Sequence, residues 1–254
     1  VRVDILTLFP EMFSGPLSES LLKKAQERDL LSINLVDIRD FTTDKHQTAD
    51  DSPYGGGPGM VLKPEPIFKA VQSLKPKASS RIILMCPTGE KLTQQKAMEL
   101  AEAEHLIIIC GHYEGVDERV RKNLVTEEVS IGDYVLTGGE LPAMVLIDCL
   151  ARLIPGVVKE GESVVRDSFY EGLLDHPSYT KPEEFEGERV PEVLRSGHHE
   201  EIEKWRRKEA LKLTFFRRPE LLASAKLSAE DRQMIQDIIL RSSDESRSEG
   251  EKNG

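Results

Sequence analysis

No run of apolar residues in this chain is long enough to cross a bilayer as a helix, so there is no candidate transmembrane span. No Gly-x-Gly-x-x-Gly and no Walker loop occurs, which removes the usual dinucleotide and nucleoside-triphosphate fingerprints. Cysteine is scarce. Cys86, Cys110 and Cys149 are odd in number and far apart, at the ends of apolar runs or inside an apolar helix. They read as reduced thiols of a cytoplasmic protein, with neither a disulfide framework nor a zinc site expected. A basic excess is missing too: 34 Lys and Arg stand against 45 Asp and Glu, a net charge of −11. Indiscriminate nucleic-acid binding needs a basic surface and is not expected. The start, Val1-Arg2-Val3-Asp4-Ile5-Leu6, has no basic region followed by a long apolar one, and reads as a strand rather than a signal peptide.

What is present is enough for one large domain or two ordinary ones: 254 residues, 39% of them apolar. Residues 3–9 and 32–38 read as strands, with a helical region between them. A long polar segment, 41–60, ends in Tyr54-Gly55-Gly56-Gly57-Pro58-Gly59; a loop of that length is usually functional or mobile. Pro66 opens a helix whose Ile67, Ala70, Val71 and Leu74 form an i, i+3, i+4, i+7 stripe. Three apolar strands follow, at 81–86, 106–110 and 125–131, with helices between them. Each strand runs into a glycine-containing loop. That order predicts parallel strands with loops gathered at their carboxyl ends, where α/β sheets bind ligands.

The third loop organises the rest. It passes through Gly138-Gly139 and opens an apolar helix over 140–154 with Pro142 in its first turn, where a missing N–H is harmless. Adjacent glycines suit close approach of a flat, hydrogen-bonding ligand, or simply a strand-to-helix hinge. Beyond residue 173 turns are dense and helices are charged. Lys204-Trp205-Arg206-Arg207-Lys208 is the best basic patch, either a solvated helix face or a phosphate contact.

Single side chains are ambiguous at this stage. Arg152, four residues after Asp148, is either an i, i+4 ion pair or a guanidinium aimed at developing negative charge. Asp167 alone reads as a solvated carboxylate. His46 and Glu114 are equally open. His198-His199 lacks the His-Glu-x-x-His spacing of a metal site.

Taken together the motifs carry a resemblance. They are Leu8-Phe9-Pro10-Glu11-Met12-Phe13, Asp44-Lys45-His46, Pro53-Tyr54-Gly55-Gly56-Gly57-Pro58-Gly59-Met60, Gly111-His112-Tyr113-Glu114-Gly115-Val116-Asp117-Glu118-Arg119, residues 130–142, Asp167-Ser168-Phe169 and Ser196-Gly197-His198-His199. In this order they closely resemble the bacterial tRNA (guanine-N1)-methyltransferases of the TrmD type. One departure is visible: Ser52 stands where the family pattern leads us to expect an arginine.

The resemblance implies a SPOUT-type α/β fold: a mostly parallel sheet with helices on both faces and a deep trefoil knot, plus a small, mainly helical C-terminal domain. The implied division is a catalytic domain at 1–160, a flexible linker at 161–172, a tRNA-binding domain at 173–241 and a disordered tail at 242–254. S-adenosylmethionine would be held by Leu84, Pro87, Gly89, Gly111, Tyr113, Glu114, Ile131, Tyr134, Leu136, Gly138, Gly139 and Pro142. The implied reaction is methyl transfer to N1 of guanosine 37 of tRNA, with Asp167 as base and Arg152 as partner of O6. His46, Asp50, Gly55, Gly59, Ser196, Lys204, Arg206 and Arg207 would meet the anticodon stem-loop. Family members are homodimers with the active site at the subunit interface. Magnesium is associated with their activity, with Glu114 as candidate oxygen ligand. The alternatives are a SPOUT methyltransferase acting on a ribose 2′-OH or another base, a non-catalytic RNA-binding protein, and an NAD or ATP enzyme.

Overall fold

The structure is a computed structural model that describes residues 1–158 and 167–252, with side chains described to residue 240. The chain divides into two compact units, Val1–Glu160 and Gly161–Gly254.

The first unit is built on strands β1 (Arg2–Thr7), β2 (Ser32–Asp37), β5 (Arg81–Lys91), β6 (His105–Cys110) and β7 (Glu127–Ser130). They form one sheet of order β2-β1-β6-β5-β7, parallel throughout. A two-stranded ribbon, β3 (Asp50–Asp51) with β4 (Val61–Leu62), closes the base of the long polar loop. The helices are α1 (Ser20–Glu27), α2 (Pro64–Ser73), α3 (Gln94–Ala101), α4 (Glu118–Asn123) and α5 (Glu140–Leu153).

Strand side chains alternate between two cores, as the period of two requires. Leu106, Ile108 and Cys110 of β6 pack with Ala25 of α1, Leu100 of α3 and Leu146 of α5. Ile107 and Ile109 pack with Ile67 and Val71 of α2 and Val120 of α4. Both faces of the sheet are therefore covered, which is why its strands read as continuous apolar runs rather than alternating ones. At the amino edge, buried Asp4 is satisfied by His105 Nε2 at 2.6 Å, Arg2 Nε at 2.8 Å and Asn34 Nδ2 at 2.8 Å.

One strand differs from expectation. The run over 81–86 does not stop at Pro87 but continues to Lys91. Met85 and Glu90 both pair with Val129, so residues between them bulge out of the ladder. Pro87 has no N–H to donate, and a Cβ on Gly89 would lie 2.4 Å from the Val129 nitrogen. The helix expected from Pro66 begins two residues earlier, at Pro64.

The second unit carries a hairpin, β8 (Glu184–Phe185) with β9 (Glu188–Arg189), and helices α6 (His199–Arg217), α7 (Pro219–Leu222) and α8 (Ala229–Lys252). Its small core is Leu173, Leu211 and Ile238. Of the stretch expected to be a linker, 161–172, residues 161–166 lie outside the described residues. Residues 167–173 form hydrogen-bonded turns, Phe169 N to Leu173 O at 2.7 Å and Tyr170 N to Asp167 O at 3.3 Å. Helix α8 extends past residue 241 across most of the stretch expected to be a disordered tail, a stretch without proline.

Polar contacts supplement this small core. Asp231 and Ser228 cap α8 reciprocally, Ser228 N to Asp231 Oδ2 at 2.8 Å and Asp231 N to Ser228 Oγ at 3.0 Å. The Arg207 fork grips the same carboxylate at 2.9 and 3.0 Å and reaches Glu171 at 3.1 Å. Arg207 holds the Asp231 pKa down at about 2, against an ordinary 3.8. A depressed acid contributes stability above its unfolded pKa and loses it as pH falls through the folded one. Asp231→Asn should therefore lower the stability of this unit by roughly 2 kcal/mol at neutral pH. The deficit should narrow as pH falls from about 4 toward 2, read from denaturant midpoints at each pH.

Candidate active site

The carboxyl ends of β5, β6 and β7 lie side by side, so the segments that follow them meet. After β6 the chain turns through Gly111–Gly115, with Tyr113 at φ +56° and Gly115 at φ +103°. After β7 it returns against that turn: Gly139 N donates to Gly111 O at 2.7 Å, and His112 bridges Gly138. Neither glycine has room for a side chain. A Cβ on Gly138 would lie 2.4 Å from His112 Nδ1, and one on Gly139 would lie 2.8 Å from the Cys110 Cα. Ala143 N then donates to Gly139 O at 2.9 Å and α5 begins.

Between these segments lies a cavity of about 230 Å³. Of the twelve residues expected around a cofactor, all but Gly89 line it. Gly89 instead permits the β5 bulge. Leu84, Ile131, Leu136 and Pro142 give apolar surface, the glycines give bare backbone, and Tyr113 and Tyr134 are exposed at the cavity. The walls suit a flat heteroaromatic group with hydrogen-bonding edges.

Two features were not singled out in the sequence. The first is Glu140, which is only 1% exposed. Thr7 donates its hydroxyl to Glu140 Oε1 at 2.8 Å while accepting from Phe9 N at 2.9 Å. Glu140 Oε2 lies 3.5 Å from His112 Nδ1, whose ring packs on Phe9 and Tyr113. This carboxylate sits in the first turn of α5, where the helix dipole favours it. Burial, with Glu140 repelling the thiolate, pushes the neighbouring Cys110 thiol well above its usual range. The second is Arg121, which lines the cavity and donates to Thr88 Oγ1 at 2.7 Å and Glu128 Oε2 at 2.5 Å. Burial opposes ionisation of Glu128, but hydrogen bonds from Cys86 and Thr88 and the charge of Arg121 keep it below its usual range. Spacing alone marks neither residue.

The long loop is pinned at its end. Glu114 N donates to Met60 O, and Leu62 N to Gly115 O, each at 3.0 Å. The Glu114 side chain lies under Gly59, where a Cβ would come within 2.4 Å of it. Gly55, Gly56, Gly57 and Gly59 all have positive φ, and His46 and Tyr54 are exposed. Asp50 belongs to the ribbon, paired with Leu62. Among the described residues no three His, Cys, Asp or Glu side chains gather as a metal site.

The remaining expected residues do not line this cavity. Arg152 stands exposed in the last turn of α5. Asp167 belongs to the second unit, where it lines a separate cavity of about 270 Å³ with Asp175, His176 and Arg206. Ser196 caps the approach to α6, accepting from His198 N at 3.1 Å. In the basic run, Lys204 lies 3.9 Å from Glu230, Arg206 donates to Glu203 at 2.8 Å, and Arg207 is held by Asp231.

Comparison with known proteins gives a consistent result. A family model described as tRNA (Guanine-1)-methyltransferase TrmD matches residues 1–224. A tRNA (guanine-N(1)-)-methyltransferase of Desulforamulus reducens is 58% identical over 241 residues, covering 94% of this chain and 95% of that one. A protein of the same name from Pelotomaculum thermopropionicum is 58% identical over 242 residues, covering 94% and 96%. Another from Bacillus licheniformis is 57% identical over 237 residues, covering 92% and 98%.

The crossing makes a prediction that separates two neighbouring glycines. Gly139→Ala forces a methyl group into backbone and should cost about 1–3 kcal/mol, a fall of several degrees in melting temperature. Gly111→Ala meets nothing nearer than 3.8 Å and should melt within about a degree of the parent. Calorimetric melting of both variants checks the contrast.

Proposed function

The chain belongs to the tRNA (Guanine-1)-methyltransferase TrmD family, and from that premise we propose that it transfers a methyl group from S-adenosylmethionine to N1 of guanosine 37 of tRNA. The observation that carries the reading is the cavity between the segments after β5, β6 and β7, walled by glycine backbone and apolar side chains. Those walls fit an adenosine group: Leu136 and Pro142 offer contact to a flat ring, and the Gly138-Gly139 backbone leaves room for its edge. When bound, S-adenosylmethionine supplies a methyl group on a sulfonium leaving group. The deep trefoil knot belongs to the same proposal, and the Gly111–Gly139 crossing supports it.

Guanine N1 carries a proton at neutral pH and is a poor nucleophile until that proton leaves. We assign its removal to Asp167 and the steadying of charge on O6 to Arg152. Active sites form between two subunits in this reading. The exposed Leu141 and Val145, four residues apart on α5, support pairing of chains through that helix. The target base must leave its stack before its N1 can be reached. The second unit, with its basic run, is assigned to the anticodon stem-loop, and tRNA as substrate points to the cytoplasm. Glu114 offers a single carboxylate, so no step is assigned to magnesium.

A transfer assay tests the reading. Labelled S-adenosylmethionine is mixed with unmodified tRNA transcripts carrying guanosine or adenosine at position 37. Label should enter the guanosine transcript only and be recovered as 1-methylguanosine. Asp167→Asn should lower the rate by at least about 100-fold. Label on a ribose or on another base would sink the proposal.

A further inference from the structure

The cavity lining holds one guanidinium and one carboxylate among apolar, glycine and polar residues. Of its lining residues only Arg121 is a Lys or Arg, and only Glu114 is an Asp or Glu. A nucleoside alone has no use for such a pair. An α-amino acid, with ammonium and carboxylate on the same carbon, is complementary to it.

Arg121 is held in place before any ligand arrives. Its Nη1 donates to Thr88 on the β5 bulge and to Glu128 on β7. Its Nε lies 3.3 Å from Glu118 Oε2 but is buried without an aligned hydrogen bond. Among the described residues its Nη2 makes no hydrogen bond. The side chain is 28% exposed, so part of it is open to a partner. A planar fork braced on one nitrogen is pre-organised to receive a carboxylate on another.

We propose that Arg121 anchors the carboxylate of the amino-acid end of the methyl donor, with Glu114 facing its ammonium. This rests on the donor being S-adenosylmethionine. The bulge then has a purpose beyond filling the ladder: it brings Thr88 to brace the guanidinium at the cavity wall.

The rival account is that Arg121 only ties α4 to β5 and β7. A pair of ligands differing in one group separates the two. Calorimetric titration of the full chain uses S-adenosylmethionine and its decarboxylated form, both sulfonium cations carrying an amine. The parent should prefer the full donor by about tenfold or more, the usual worth of a charge-assisted bond. Arg121→Gln, which keeps a polar amide but removes the charge, should lose that preference by weakening only the full donor. Arg121→Lys should recover part of it and keeps the test open if the glutamine variant folds poorly. Equal weakening of both ligands, or an unchanged preference, overturns the proposal. If the parent binds neither ligand, the methyltransferase reading falls with it. If the parent binds the donor and methylates tRNA while Arg121→Gln keeps the preference, this inference alone fails.

Discussion

Two stretches of backbone pass within hydrogen-bonding distance of each other, and the first unit depends on that contact. Gly139 N meets Gly111 O at 2.7 Å, with Gly138 against His112. A Cβ on Gly139 would enter the Cys110 backbone and one on Gly138 the His112 ring, which makes the glycine pair a steric requirement rather than a hinge. Beneath it lies Glu140, a buried carboxylate that joins the end of β1 through Thr7 to the β6 turn through His112. One residue thereby ties two carboxyl-end segments, after β1 and β6, to α5. Burying a charge is costly unless it is partnered, so Glu140 is tolerated only with that surrounding arrangement formed. The cavity takes its shape from this junction.

The parallel sheet explains why the junction sits where it does. Parallel connections return every strand in the same direction, so the segments after β5, β6 and β7 emerge at one edge. Helices cover both faces, leaving that edge as an open side where loops can converge on a ligand. The β5 bulge adds to this. By slipping the ladder between Met85 and Glu90 it displaces Pro87 and Thr88 from the sheet, where Pro87 lines the cavity and Thr88 meets Arg121.

The sheet was legible because its strands are short apolar runs punctuated by glycine, and the stripe of Ile67, Ala70 and Val71 marked α2 with equal clarity. The cavity walls were legible through resemblance, since bare spacing left the Gly138-Gly139 pair open between a hinge and a binding turn. What stayed hidden has a common cause. Glu140, Arg121 and Arg207 each have a hydrogen-bond partner far along the chain, at 133, 33 and 24 residues, which no local pattern announces. The continuation of β5 past Pro87 was hidden for a related reason: a bulge is defined by the partner strand, not by the residues within it.

The basic run shows how structure redistributes roles that composition treats as equal. Arg207 holds a nearly buried carboxylate with a bidentate fork, and removing it would leave Asp231 as an uncompensated charge. Its worth is to the fold. Arg206 is engaged with Glu203 one turn away at 2.8 Å. Lys204, by contrast, is largely exposed and its carboxylate neighbour is 3.9 Å away. Exposed pairs of that kind contribute little, so exchanging the Glu230 carboxylate for a phosphate costs almost nothing. In a chain of net charge −11, local positive potential is drawn from such loosely held cations, not from the number of Lys and Arg in a stretch. Lys204 is thus better suited to meet a nucleic-acid backbone than the two arginines beside it.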